Sequence, residues 1–142
     1  MEIVLVDTSF LFAYYNSEDK HHDSARNYFD NVVKPQTHPL GFLLTDYIFD
    51  ELITLILIRT KNKTQAIFTG NSILNSQTLK LIYLKEETIS KAWTKFCGYL
   101  DKQWSFTDCT SMVFMEENGI EKVACFDEHF EQMGFIRLPS DS

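Results

Sequence analysis

Short apolar runs alternate along the chain with stretches in which apolar residues recur at i, i+3, i+4 and i+7. The short runs predict strands, and the longer stretches predict helices. The predicted strands are residues 3–6, 42–44, 79–84, 123–126 and 135–138. Because strands that alternate with helices are typical of a parallel sheet covered by helices, we predict a three-layer α/β/α fold. Its central sheet should be mostly parallel, with about four to five strands.

Capping residues and helix breakers set the predicted limits of the helices. A first helix should begin after Asp7, and Thr107 should cap the last long helix, which stops at Gly119. Pro35 and Pro39 bracket a predicted loop. The other predicted helices are 21–33, 45 or 46 to 59, 64–74 and 86–100.

Two helices carry many aromatic residues, and their periodicity predicts which of them are buried. On the first helix we expect Phe10, Leu11 and Tyr14 in the core, which leaves Phe12 and Tyr15 for an exposed surface or an interface. On the helix 86–100, the inward positions are predicted to be Ile89, Ala92, Trp93 and Phe96.

Composition is that of an ordinary globular protein, with 44% hydrophobic and 23% charged residues in 142. Without a repeat or a linker, residues 1–142 are expected to form a single domain. There is no apolar run of the roughly 18 residues that would cross a membrane. The first residues lack the basic start of a signal peptide, and the three cysteines show no disulfide or zinc spacing, so we expect a cytoplasmic protein with free thiols.

The net charge of −7 argues against a protein that binds nucleic acid through broad phosphate contacts. It does not exclude a nuclease, because acids that surround metal ions are neutralised in the working enzyme.

Two acids are expected at the carboxyl ends of strands, where open parallel sheets bind their ligands. Asp7 follows the first predicted strand and Asp127 follows the fourth. Either aspartate alone is more often a helix cap than a catalytic residue.

Glu51 is more informative, because its helical neighbours Ile48, Leu55 and Ile58 are all apolar. A carboxylate in an apolar stripe must be paired, protonated or bound to a cation. The adjacent Asp50 belongs to a polar row and is interpreted as solvated.

Asp108 repeats this pattern more weakly near the start of its helix, where the helix dipole alone would also explain an acid. Four acids converging on one cleft would raise one another's pKa unless a divalent cation bound there. All-oxygen ligands favour Mg²⁺ or Mn²⁺ over zinc, and such an ion suits the hydrolysis of a phosphate ester.

Four segments, taken in order, resemble the motifs of the PIN domain family. They are Asp7-Thr8-Ser9, the stretch 45–52 with its acid at Glu51, Phe106-Thr107-Asp108, and the stretch 126–130 followed by Gly134-Phe135. The resemblance implies a divalent-metal-dependent ribonuclease with Asp7, Glu51, Asp108 and Asp127 as metal ligands and catalytic residues.

The resemblance also implies supporting roles for Thr8, Ser9 and Thr107. Small members of the family look like the VapC toxins of toxin–antitoxin pairs, so an RNA substrate, a cognate antitoxin and a homodimer are expected.

Two other enzyme classes are disfavoured. A phosphotransferase of the haloacid dehalogenase type would need a second aspartate where Ser9 stands. A receiver domain would need a phosphoacceptor aspartate and a later lysine, and the sequence does not offer them in convincing order. A catalytically silent binding module, or a nuclease that acts on DNA or on ribosome-associated RNA, remains compatible with the acids, which do not specify the polymer.

Overall fold

The computed structural model describes residues 2–33 and 41–140, and its centre is a five-stranded sheet in which every pairing is parallel. The strands are β1 (Ile3–Val6), β2 (Gly41–Thr45), β3 (Leu79–Ile82), β4 (Lys122–Ala124) and β5 (Ile136–Leu138). The helices are α1 (Thr8–Tyr15), α2 (His22–Asn27), α3 (Asp46–Thr60), α4 (Lys63–Leu74), α5 (Glu86–Gly98), α6 (Phe106–Asn118) and α7 (His129–Gln132). The predicted α/β class and parallel sheet are therefore confirmed.

The strand order β3-β2-β1-β4-β5 places a switch point between β1 and β4. The chain builds the sheet in one direction from β1 to β3 and then continues on the other side of β1. Val6 pairs with Ala124 in the register of these two central strands. Segments that follow β1 and β4 therefore emerge side by side at the carboxyl edge, where such sheets bind ligands.

The predicted helix 21–33 is α2 followed directly by a π-helical turn, Tyr28–Val33. The predicted loop with Pro35 and Pro39 lies outside the described residues. Thr45 caps α3 as predicted, since its Oγ1 accepts a hydrogen bond from Ile48 N at 3.1 Å. Gly119 ends α6 with a φ of 64°, a left-handed conformation that glycine adopts without a steric penalty.

Helix α1 is buried on more sides than predicted. Phe12 is only 5% exposed, as deeply placed as Tyr14, and Tyr15 is half-buried. The expectation that Phe12 lies on a surface is therefore wrong. The physical reason is that α1 packs against both α2 and α3 as well as following the central strand β1, so that no wide face of it meets solvent.

Helix α5 departs from its prediction in the opposite sense. Ala92 is fully buried and Ile89 half-buried, but Trp93 and Phe96 are 57% and 40% exposed. Their predicted inward orientation is wrong, because α5 packs mainly on α6, and a single helix partner covers only a narrow stripe.

Within the residues described, no helix is long and apolar enough to span a membrane. The three cysteines are free, with Cys97 exposed and Cys109 and Cys125 buried, as predicted.

Candidate active site

Asp7 is the most deeply buried acid of the site, with 2% of its surface exposed. It caps α1, because Oδ2 accepts hydrogen bonds from the Ser9 backbone N–H at 3.3 Å and from the Ser9 hydroxyl at 3.1 Å. The capping interpretation therefore holds for Asp7. It accounts for Oδ2 alone, since Oδ1 is buried and accepts no hydrogen bond.

Ser9 also joins the two central strand ends. Its Oγ accepts a hydrogen bond from the Phe126 backbone N–H at 3.0 Å, across 117 residues of sequence. One hydroxyl therefore fixes the Asp7 carboxylate and holds the backbone beside Asp127. The half-buried Asp127 in turn accepts a hydrogen bond from the His129 backbone N–H at 3.1 Å.

Asp108 lies in the first turn of α6 and is 5% exposed. Ser105, rather than the predicted Thr107, is the N-cap. Its hydroxyl accepts from the Asp108 N–H while Asp108 Oδ2 accepts from the Ser105 N–H, which is a capping box. The prediction that Thr107 caps the helix was wrong, because the N-cap lies two residues earlier, at Ser105, and the helix begins at Phe106.

Asp108 Oδ2 also lies 2.7 Å from His129 Nδ1. The structure thus brings His129, to which the sequence analysis assigned no role, into contact with one of the four acids. The usable signal in the sequence was its position two residues after Asp127, which places it at the same sheet edge.

Glu51 is half-buried on the second turn of α3, beside the start of α1. The apolar stripe that distinguished Glu51 in the sequence is buried only in part. Ile48 is fully buried and Leu55 half-buried, but Ile58 is 65% exposed, because the helix end extends beyond the core. Asp50 is exposed, as predicted for the solvated row.

The four acids act on one another electrostatically. Burial raises the pKa of Asp7 well above its ordinary value, and the charges of Asp127, Asp108 and Glu51 raise it further. Burial likewise raises the pKa of Glu51, while the nearby hydroxyl groups of Thr8 and Thr107 partly oppose this rise. The pKa of Asp127 is raised by burial and then by Asp108. The four acids therefore lie close enough to influence one another's pKa.

The donor chemistry fits a hard divalent cation. The four side chains present only oxygen atoms, and one of them, Asp7 Oδ1, is buried without a donor. In the part of the chain that the structure describes, no group of three or more His, Cys, Asp or Glu side chains is arranged to hold a metal ion.

Comparison with known proteins identifies the class of fold and site. The PIN domain family matches residues 4–136, which is nearly the whole chain. This chain belongs to the PIN domain family. PIN-domain nucleases generally use divalent metal ions.

Curated relatives are similar over most of their length. The 23S rRNA-specific endonuclease VapC20 of Mycobacterium tuberculosis is 24% identical over 136 residues, which cover 96% of this chain and 98% of the relative. A VapC ribonuclease of Archaeoglobus fulgidus is 29% identical over 127 residues, which cover 89% of this chain and 78% of the relative.

Two solved structures share the fold. The crystal structure of M. tuberculosis VapC20, described as a sarcin-ricin loop cleaving toxin, superposes with a TM-score of 0.82 at 24% identity, covering 94% of this chain and 96% of that one. A chain of the crystal structure of VapBC2 from Rickettsia felis, bound to a DNA fragment from its promoter, superposes with a TM-score of 0.68 at 14% identity. The superposition covers 95% of this chain and 96% of that one.

Proposed function

We propose that this chain is a divalent-metal-dependent endoribonuclease, the toxin of a toxin–antitoxin pair. The observation that carries the proposal is the gathering of Asp7, Glu51, Asp108 and Asp127 at the carboxyl edge of the sheet, where three acids together raise the pKa of Asp7. Such a group of buried acids costs stability unless it binds a cation, which is typical of a functional site.

In this proposal the four acids hold Mg²⁺ or Mn²⁺. The bound ion would activate water and neutralise the charge that develops on the phosphodiester during hydrolysis. The remaining residues position the ligands. Ser9 holds Asp7 and the backbone beside Asp127, while Ser105 and His129 hold Asp108. In the same proposal the nearby hydroxyl groups of Thr8 and Thr107 support the charged form of Glu51, which is the form that binds a cation.

RNA is the proposed substrate, because both curated relatives are named for cleaving RNA or as ribonucleases. A cognate antitoxin is the proposed partner, supported by the fold shared with a VapBC complex. We propose in addition that the chain is a single domain that works as a homodimer. We place it in the cytoplasm, because an RNA-cleaving toxin must reach cellular RNA.

The test is cleavage of RNA by the purified protein with Mg²⁺ or Mn²⁺, compared with EDTA. Glu51→Gln should abolish cleavage, because the substitution removes a proposed metal ligand. Asp50→Asn is the matched control, since this neighbouring acid on the same helix is exposed and should leave cleavage unchanged. Equal activities of the two variants would contradict the assigned site.

A parallel assay with single-stranded and duplex DNA separates the two nuclease alternatives. Preferential cleavage of DNA would contradict the proposed RNA substrate but would still agree with the proposed metal site. Binding of RNA without cleavage under any metal would instead favour the catalytically silent module.

A further inference from the structure

Four aromatic side chains form a continuous partly exposed cluster beside the four acids. We name Tyr47, Trp93, Phe96 and Phe106 the aromatic platform. The Trp93 ring is stacked on Phe96 with centroids 5.6 Å apart, and Phe106 contacts both at 6.0 and 6.1 Å. Tyr47 extends the platform from Phe106, at 6.0 Å.

Tyr47 connects the platform to the proposed active site, because it lies one turn before Glu51 on the same face of α3. From Tyr47 the ring contacts lead through Phe106 to Trp93 and Phe96. A strand bound with its scissile phosphate at the four acids and running along this series of rings would bring nucleotides adjacent to the cut onto the exposed faces of Trp93 and Phe96.

The charge of the protein favours a mode of RNA binding that does not depend on phosphate contacts. The net charge is −7, and both lysines of α5, Lys91 and Lys95, are already paired with acids. The helix that carries Trp93 and Phe96 therefore offers little cationic surface for phosphate contacts. Stacking of bases on aromatic rings is worth about 1–3 kcal/mol per base and does not require cationic surface.

The other exposed apolar patch, on α3 and α4, has a different chemistry. Apart from Phe68 its exposed members are aliphatic, with Leu57, Ile58, Ile67 and Leu74 all more than a third exposed. Aliphatic side chains offer no ring faces on which bases can stack.

We propose that the aromatic platform stacks unpaired bases of the RNA next to the scissile phosphodiester. This inference rests on the proposed function and adds a substrate-binding surface to it. It favours RNA with unpaired, splayed nucleotides over regular duplex, because bases within a duplex are not free to stack on side chains.

Binding is measured with the Asp7→Asn variant, so that the probe is not cut. The probe is a short single-stranded oligoadenylate, and its comparator is an abasic strand of equal length. Trp93 is exposed and Trp104 is 5% exposed, so quenching of fluorescence by oligoadenylate should report Trp93. Trp93→Phe should remove the quenching, and the abasic strand should not produce it.

Trp93→Ala and Phe96→Ala should each weaken oligoadenylate binding roughly 5- to 100-fold and raise KM with little change in kcat. Phe68→Ala is the matched control, an equally exposed ring on α4, and should leave binding unchanged. Wild-type affinity should also depend only weakly on salt.

Three results would overturn the proposal: unquenched Trp93 on binding, equal losses for Phe68→Ala and Trp93→Ala, or conversion of a dimer to a monomer by Trp93→Ala in sedimentation. The last would assign the platform to a second copy of the chain. Cleavage with unchanged KM in Trp93→Ala would refute the platform alone. Quenching by oligoadenylate without any cleavage of RNA by the wild type would keep the platform and refute the proposed activity.

Discussion

The Ser9 hydroxyl links Asp7, after β1, to the backbone after β4, and its removal should affect both stability and activity. In Ser9→Ala the Asp7 carboxylate loses a hydrogen bond of 3.1 Å, and the Phe126 N–H loses its acceptor at 3.0 Å. The rest of the fold has no other reason to change, because the substitution removes a single oxygen atom.

The size of the effect follows from these two bonds. A hydrogen bond to a neutral, protonated carboxyl contributes about 0.5–1.5 kcal/mol, and a buried donor left unsatisfied costs about 1–3 kcal/mol. Since Ser9 is only half-buried, water would replace part of this loss. We expect the free energy of unfolding to fall by about 1.5–3 kcal/mol in Ser9→Ala, a decrease in Tm of roughly 5–10 °C.

Ser111 provides the matched control for Ser9. It is fully buried on α6, and its hydroxyl has no hydrogen-bond partner. Removal of an unsatisfied hydroxyl loses no bond, so Ser111→Ala should change the free energy of unfolding by less than about 1 kcal/mol. Ser9→Thr keeps a hydroxyl and should restore most of the loss.

The assay is urea denaturation in EDTA for all three variants, followed by cleavage kinetics with Mn²⁺. We expect kcat for Ser9→Ala to fall by about 10- to 100-fold, as is usual when a partner of a metal ligand is removed. If Ser9→Ala and Ser111→Ala have the same unfolding midpoint, the bridging role of Ser9 is refuted.

Three further predictions concern the acids and the core. The folded metal-free protein keeps a proton on Asp7 at pH values where the unfolded chain has lost it, so stability present at low pH should be lost as pH rises through the raised pKa. Asp7→Asn should therefore be more stable than the wild type at pH 8 in EDTA but not at pH 4, and a pH-independent difference in urea midpoints would contradict this. Saturation with Mn²⁺ at about 100 times its Kd should stabilise the wild type by about 2.7 kcal/mol in thermal denaturation and leave Asp7→Asn unchanged; an equal shift in both would place the ion elsewhere. Leu52→Ala, at a fully buried position on α3, should lower the free energy of unfolding by about 2–5 kcal/mol, whereas Leu57→Ala, at a position 39% exposed, should lower it by under about 1 kcal/mol, and equal losses in urea would contradict the core assignment.

Local signals in the sequence determined much of the fold and of the candidate site. Short apolar runs predicted every strand, Thr45 predicted the start of α3, and Gly119 predicted the end of α6. Strand ends also placed Asp7 and Asp127 at one edge, because consecutive parallel strands must point the same way. These features depend on residues close in sequence, whose geometry is set by backbone periodicity and capping.

The tertiary structure alone decided what covers each helix and which side chains meet. Periodicity shows which residues share a face, but not how much of that face a neighbour covers. For this reason Phe12 is buried while Trp93, Phe96 and Ile58 are exposed.

Contacts between distant parts of the chain were likewise beyond local patterns. The bond from the Phe126 N–H to Ser9 spans 117 residues, and that between His129 and Asp108 spans 21. The strand order that brings β4 beside β1 produces the first of these contacts. The sequence thus indicated the acids of the proposed site, and the packing of the sheet and helices determined which groups contact them.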